Sequence, residues 1–129
     1  MKRSKYRSEK ITRDGMTFDS LKEYRRFREL SLLEKAGEIT ELKMQVSFEL
    51  IPAQFEEIPT GEIYKRGERK GQPKMKRICV EQSVIYVADF VYIENGKKVV
   101  EDTKGFKTKD YVIKRKLMLY VHGIKIKEI

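Results

Sequence analysis

Apolar and polar residues alternate from Lys43 to Leu50, with Val46, Phe48 and Leu50 on one side and Gln45, Ser47 and Glu49 on the other. A period of two is the signature of a strand, and Ile51-Pro52 ends it. Upstream the spacing changes to three. Tyr24, Phe27 and Leu30 form the apolar stripe of a helix. That helix opens at Ser20, followed three residues later by Glu23 as in a capping box, and stops at Gly37. A second stripe, Ile113, Leu117, Tyr120 and Val121, predicts a helix from near Thr108 and Asp110 to Tyr120 or His122, with Gly123 as its C′ residue. Two further strands are predicted at Ile78 to Ile93 and Lys98 to Lys104, the latter closed by Gly105. Ile124-Lys125-Ile126-Lys127 alternates like an edge strand.

Asn95-Gly96 between apolar runs predicts a two-residue type I′ hairpin turn. Its register follows by counting: Glu94 pairs with Lys97, Ile93 with Lys98, Val91 with Val100, Asp89 with Asp102 and Val87 with Lys104. Asp89, Asp102 and Lys104 then share one face, while Glu101 points to the other beside Phe90. Opposed positions lie about 5 Å apart, and two carboxylates there repel by roughly 3 kcal/mol at an effective dielectric near 20. A divalent cation such as Mg²⁺ would offset that cost. The other reading is a solvated face on which three charged residues cluster. Asp89 weighs against it, because it sits in the largely apolar run Tyr86 to Tyr92, where an unpartnered carboxylate is poorly tolerated. A β-bulge between Lys97 and Asp102 would turn Glu101 to this face instead.

With 129 residues and 40% hydrophobic content, the chain suits one domain with one core. Residues 1–17 read as a basic tail and 18–129 as a single domain carrying a basic, flexible insertion at about 52–77. No apolar run approaches a membrane span and no signal peptide is visible, so a cytoplasmic protein is expected. Cys79 and His122 are the sole residues of their types, which excludes a disulfide framework and a Cys/His zinc site within one chain. Any metal must rest on oxygen ligands.

The formal net charge of +9 favours a polyanionic partner. The excess is concentrated. Lys2, Arg3, Lys5, Arg7, Lys10 and Arg13 face Glu9 alone, and Lys65, Arg66, Arg69, Lys70, Lys74, Lys76 and Arg77 face only Glu68. The second cluster supplies phosphate contacts or merely solubilises a loop; both remain open.

Two roles are likewise open to Glu23. It closes the capping box, yet it also falls inside the Tyr24-Phe27-Leu30 stripe and so faces the sheet. Lys114 lies at the edge of the second stripe, one turn from Asp110, where it contacts a phosphate or simply faces water. His122 suits a helix end.

An Asp on one strand, followed on the next by an acid, any residue and a lysine, resembles the active-site signature of the PD-(D/E)XK nuclease superfamily. Asp89 and Asp102-Thr103-Lys104 carry it, with Ala88 where the family name has proline. The Asp102-Thr103-Lys104-Gly105 ending is most similar to small phage-encoded endonucleases, some related to Holliday-junction resolvases. The resemblance implies an α/β, restriction-endonuclease-like core over roughly residues 18–126: a mixed four-stranded sheet flanked by two helices in the order αβββαβ. It also implies a Mg²⁺- or Mn²⁺-dependent deoxyribonuclease. Asp89, Asp102 and Glu23 would be its metal ligands, and Lys104 would orient or deprotonate the attacking water. Implied with it are duplex or branched DNA as substrate, a place in phage recombination or replication in the bacterial or infected-host cytoplasm, and a homodimer if four-way junctions are cut in pairs. The alternative is a non-catalytic nucleic-acid-binding domain that keeps the nuclease fold.

Overall fold

A computed structural model describes residues 10–129. They form two compact units, one from the residues up to Phe48 together with Tyr86–Ile129, the other from Glu49–Ile85. Of the basic tail expected over residues 1–17, Lys2 to Glu9 lie outside the described residues. The remainder is not a tail. Asp14-Gly15, with φ of 54° and 75°, turns β1 (Ile11–Arg13) back onto β2 (Met16–Phe18), a hairpin whose Asp-Gly signal went unread.

In the first unit α1 (Leu21–Lys35) begins as expected. Ser20 is its N-cap, extended at φ −157°, and its Oγ accepts from Glu23 N at 3.1 Å. The capping box is displaced by one residue, because Glu23 Oε2 accepts from Asp19 N rather than from Ser20 N. Gly37, at φ 79°, ends the helix in a Schellman motif, with Glu38 N donating to Leu33 O and Gly37 N to Glu34 O. The buried stripe of α1 packs Leu30, flanked by Phe27 and Leu33, against Ile39, Phe90 and Tyr92. Fully burying a side chain of this size stabilises the fold by about 1.5–3 kcal/mol.

The sheet beneath has the order β3 (Thr40–Ile51), β6 (Val84–Glu94), β7 (Lys97–Asp102), β8 (Lys127–Glu128). It is mixed, since β6 and β7 are antiparallel and β7 and β8 parallel. Asn95 and Gly96, at φ 51° and 74°, form the expected turn, and the ladder runs without a shift from Glu94↔Lys97 to Phe90↔Glu101. There is therefore no bulge to turn Glu101 over. The edge strand expected at 124–127 shrinks to two residues one step later, where Asp102 pairs with Glu128.

Helix α2 (Lys109–His122) is capped by Thr108, whose Oγ1 accepts from Tyr111 N, and by left-handed Gly123. Its predicted stripe points outward: Tyr120 is 88% exposed and Ile113 56%, whereas Tyr111 and Met118 are buried. Two anchors turn the helix. Arg115 joins Glu128 of β8 at 3.1 Å, and the Tyr111 ring meets Tyr86 at 6.4 Å. The stem of Arg115 completes a competing face that the apolar pattern alone does not rank first. The chain is thus α/β with two helices and a mixed sheet, its main elements running α1, β3, β6, β7, α2, β8; counting all described residues there are eight strands rather than four. No described helix is long and apolar enough to cross a membrane.

The second unit corrects two expectations. The segment at 52–77 is no flexible loop: β4 (Gln54–Ile63) pairs antiparallel with β5 (Pro73–Glu81), leaving only 64–72 as a turn. The single strand expected over Ile78 to Ile93 is two, β5 and β6, separated by Gln82-Ser83. Alternating hydrophobicity does not reveal that break, since both sides of it are strand.

Candidate functional site

The middle of β6, the end of β7 and the start of α1 border an open cleft of about 330 Å³, lined by Glu23, Asp89, Thr103 and Lys104 together with Lys10, Asp19, Ser20 and the loop leading to Thr108. The hairpin register brings Asp89 to the first residues after β7. Asp89 Oδ2 accepts from both Thr103 N and Thr103 Oγ1 at 2.8 Å. A carboxylate held by two donors on one oxygen has a fixed orientation. Its Oδ1 lies 3.4 Å from Gln45 Nε2.

Gln45 also donates to Glu23 Oε1 at 3.0 Å, so one amide spans two carboxylates. It comes from β3 with a positive φ of 52°, while the strand's alternation of exposed and half-buried positions runs on through it. Non-glycine residues held there cluster at sites where a side chain must be aimed. Glu23 is 2% exposed, and its carboxyl is raised to about 7, first by burial and next by the charge of Asp89; the Asp19 amide and Gln45 work in the opposite direction. Cap and site are therefore not exclusive for this residue. One oxygen serves the helix entrance and the other meets Gln45.

Asp102 is fully buried and stands behind the cleft wall rather than in it. Its Oδ2 accepts from Tyr86 Oη at 2.6 Å, while Oδ1 has no hydrogen-bond partner. Burial raises its carboxyl to about 6; the Tyr86 hydrogen bond and Lys104 lower it, Asp89 and Glu128 raise it. The same burial drives the Tyr86 phenol far above its ordinary value. Lys104 is exposed in the cleft, its Nζ 5.5 Å from the centre of the Tyr111 ring, a cation–π distance. Tyr111 Oη is a second buried polar atom without a partner.

Glu101, next to Asp102, is occupied elsewhere. Its two oxygens take Arg26 Nε and Nη2, each at 2.7 Å, and Oε2 also accepts from Tyr92 Oη. Asp102, not Glu101, keeps an oxygen without a partner.

Asp89, Lys104 and Glu23 line the cleft and Asp102 does not. β7 ends at Asp102 instead of the expected Lys104 and its ladder with β6 ends at Phe90↔Glu101, so the expected pairs Asp89 with Asp102 and Val87 with Lys104 do not form and Asp89 binds Thr103. Lys114 is half-buried on α2 and does not line the cleft. Lys65, Arg66, Arg69, Lys70, Lys74, Lys76 and Arg77 belong to the second unit. Gln45, Tyr86, Tyr111 and Arg26 are not singled out by the sequence; Thr103 enters there only as the middle residue of the acid-x-lysine motif and Lys10 only as a member of the N-terminal basic cluster.

Among the described residues no group of three or more His, Cys, Asp or Glu side chains stands close enough to hold a metal ion. The donors still fit a hard divalent cation. Such ions take one or two carboxylates and complete their shell with water and phosphate oxygens. Burial, and the charge of Asp89 beside them, raise the carboxyls of both Glu23 and Asp102, and Asp102 keeps one buried oxygen without a hydrogen-bond partner.

No curated protein and no solved structure matches this chain. Residues 3–127 match the family described as protein of unknown function (DUF1064), and the chain belongs to that family.

Proposed function

We propose that this protein is a metal-dependent DNA endonuclease built on a restriction-endonuclease-like core, with the PD-(D/E)XK roles distributed over Asp89, Asp102, Lys104 and Glu23. The observation that carries this reading is the company Asp102 keeps: a fully buried acid with one unpartnered oxygen, beside Asp89 and within the field of Lys104. A structural acid would be expected to satisfy both oxygens.

Asp89 and Asp102 would hold Mg²⁺ or Mn²⁺, with Glu23 at its margin. When bound, the ion supplies charge neutralisation for the phosphate and acidifies a coordinated water. Thr103 keeps Asp89 in one orientation and Gln45 keeps Glu23 beside it. Lys104 orients the attacking water and stabilises the charge that develops on the phosphate oxygens. The Tyr111 ring under its ammonium limits where that charge can sit. The excess of basic residues supplies contacts to duplex or branched DNA. A role in phage recombination or replication, in the bacterial or infected-host cytoplasm, fits the same reading; paired cutting of a junction would require a homodimer.

A gel assay of linear, nicked, flapped and four-way DNA, with and without Mg²⁺ or Mn²⁺ at fixed salt, tests the proposal. Cleavage that a chelator abolishes and Asp89→Asn removes is expected. Intact DNA in every lane, with binding retained, would replace it by the second reading, a nuclease-like fold that binds nucleic acid without cutting; the lack of a three-acid group among the described residues is the observation in its favour.

A further inference from the structure

The second unit is a two-stranded ribbon with a charge gradient along its length. The turn and the start of β5 carry five basic side chains, Lys65, Arg66, Arg69, Lys70 and Lys74, against one acid, Glu68, with Glu62 just outside; further from the tip Lys76 and Arg77 stand opposite Ile58 and Glu57, and Glu56 and Glu81 lie toward the opposite end. The tip is built, not slack. Tyr64 N donates to Gln72 O and Gly71 N to Tyr64 O, while Lys70 N and Gln72 N close tighter turns on Gly67 O and Arg69 O. The Tyr64 ring receives two cations, Arg69 at 5.8 Å and Lys74 at 5.6 Å. Register shifts at Gln54/Phe55 and Pro59/Ile63, with Gly61 at φ 88°, add the local coiling that bulges impose on a ribbon.

We infer that the β4–β5 ribbon is an arm that enters the major groove of B-form DNA tip first, its basic turn on the flanking phosphates. This deepens the nuclease reading by naming duplex DNA as the ligand, and it rests on that reading for the choice of nucleic acid. Dimensions select the groove. Paired strands lie about 4.8 Å apart before side chains are added, which suits a major groove about 12 Å wide and not a minor groove about 6 Å wide. The deep, narrow major groove of A-form RNA would not admit it. Near the tip Ile63 and Met75 are 53% and 46% exposed, apolar groups of the kind that meet thymine methyls. A tip already closed by hydrogen bonds loses little entropy on docking. The acids at the other end keep phosphates away from it, which sets the direction of entry.

Binding is measured on the full chain in chelator, so that no hydrolysis occurs, using a short blunt duplex and a single strand of the same sequence across a salt series. The duplex is expected to bind more tightly. Each phosphate neutralised contributes about 0.9 to the slope of log K against log salt. Replacing Lys65, Arg66, Arg69 and Lys70 by Gln should therefore flatten that slope by roughly 2 to 4 and weaken binding by about 10- to 1,000-fold near physiological salt. These side chains are exposed, so the variant keeps its fold by circular dichroism. Tyr64→Phe should keep the slope and Tyr64→Leu reduce it. Methyl green, a major-groove ligand, should compete, and netropsin, a minor-groove ligand, should not. An unchanged slope in the Gln variant, equal affinity for the single strand, or competition by netropsin alone would overturn the inference. Duplex binding through the ribbon by a protein that never cleaves would sink the nuclease reading and leave this one standing; cleavage by a protein whose slope ignores the ribbon would do the reverse.

Discussion

Arg26 grips Glu101 through two parallel hydrogen bonds, Nε to Oε1 and Nη2 to Oε2, both at 2.7 Å. Arg26 lies one helical turn after Glu23, and Glu101 immediately precedes Asp102, so the pair fastens α1 to β7 beside the acids. Removing one member of a buried pair strands the other. Arg26→Ala, which leaves Glu101 uncompensated, should cost roughly 3–5 kcal/mol by denaturant unfolding. A double variant, Arg26→Met with Glu101→Leu, should recover much of that loss. Equal stability of the single variant and the natural chain would show that the pair is not holding the elements together.

Asp102→Asn and Glu101→Gln, though adjacent, should act on different properties. Asp102→Asn should abolish cleavage while leaving the unfolding midpoint unchanged or higher above pH 7, because it removes a charge that burial disfavours. Glu101→Gln should lower stability and spare cleavage in the folded fraction. The reverse pattern would reassign the ligand.

Glu23 and Asp102 both have carboxyls raised in the folded state, to about 7 and about 6 from 4.5 and 3.8. Between the unfolded and folded values the native state holds more protons than the unfolded chain, so stability declines as pH rises. Their contribution is complete below about pH 4 and lost as pH passes from about 6 to 7. Thermal melts of metal-free protein should show this component as a loss of stability from pH 5 to pH 7.5 that Glu23→Gln diminishes. Saturating Mg²⁺ should flatten the loss, because it favours the ionised acids. Cleavage should run the other way and rise over the same interval.

Tyr86→Phe deletes the donor to Asp102 Oδ2 and nothing else of the ring packing. That hydrogen bond lowers the Asp102 carboxyl, so its loss should push the rising limb of the cleavage–pH profile to higher pH. The stability cost should be about 1.5–3 kcal/mol where the acid is ionised. A limb that does not move would mean Asp102 does not govern it.

Lys104→Ala should lower the rate by about 10²–10³-fold, the usual cost of one donor aimed at developing charge. A loss confined to DNA affinity, with turnover of bound substrate unaltered, would make Lys104 a binding residue.

The cleft was legible from sequence where its geometry is local. Asn95-Gly96 sets the register by counting, and the register places Asp89 against the end of β7 and turns Glu101 away. Glu23 was legible through its double membership of cap and stripe. What escaped depends on non-local packing. Gln45 falls on the polar side of β3 as the alternation places it, but its contacts with Glu23 and Asp89 join three separate elements, which no local pattern encodes. Tyr86 and Tyr111 look like ordinary core aromatics. The orientation of α2 is not legible because two faces of that helix can each be covered, and the Arg115–Glu128 ion pair with the Tyr111–Tyr86 contact selects the one the apolar stripe does not. The β4–β5 ribbon is not legible as strands because charged residues interrupt the apolar alternation of both, at Glu56, Glu57 and Glu62 in one and Lys74, Lys76 and Arg77 in the other.

Both aspartates and the lysine descend from one tight turn, so the reacting edge is a contiguous stretch of text from Asp89 to Lys104. Closing so short a loop costs little entropy and requires nothing from the chain between β3 and β6. The hairpin therefore needs only its own turn to bring these three residues within one short span of chain.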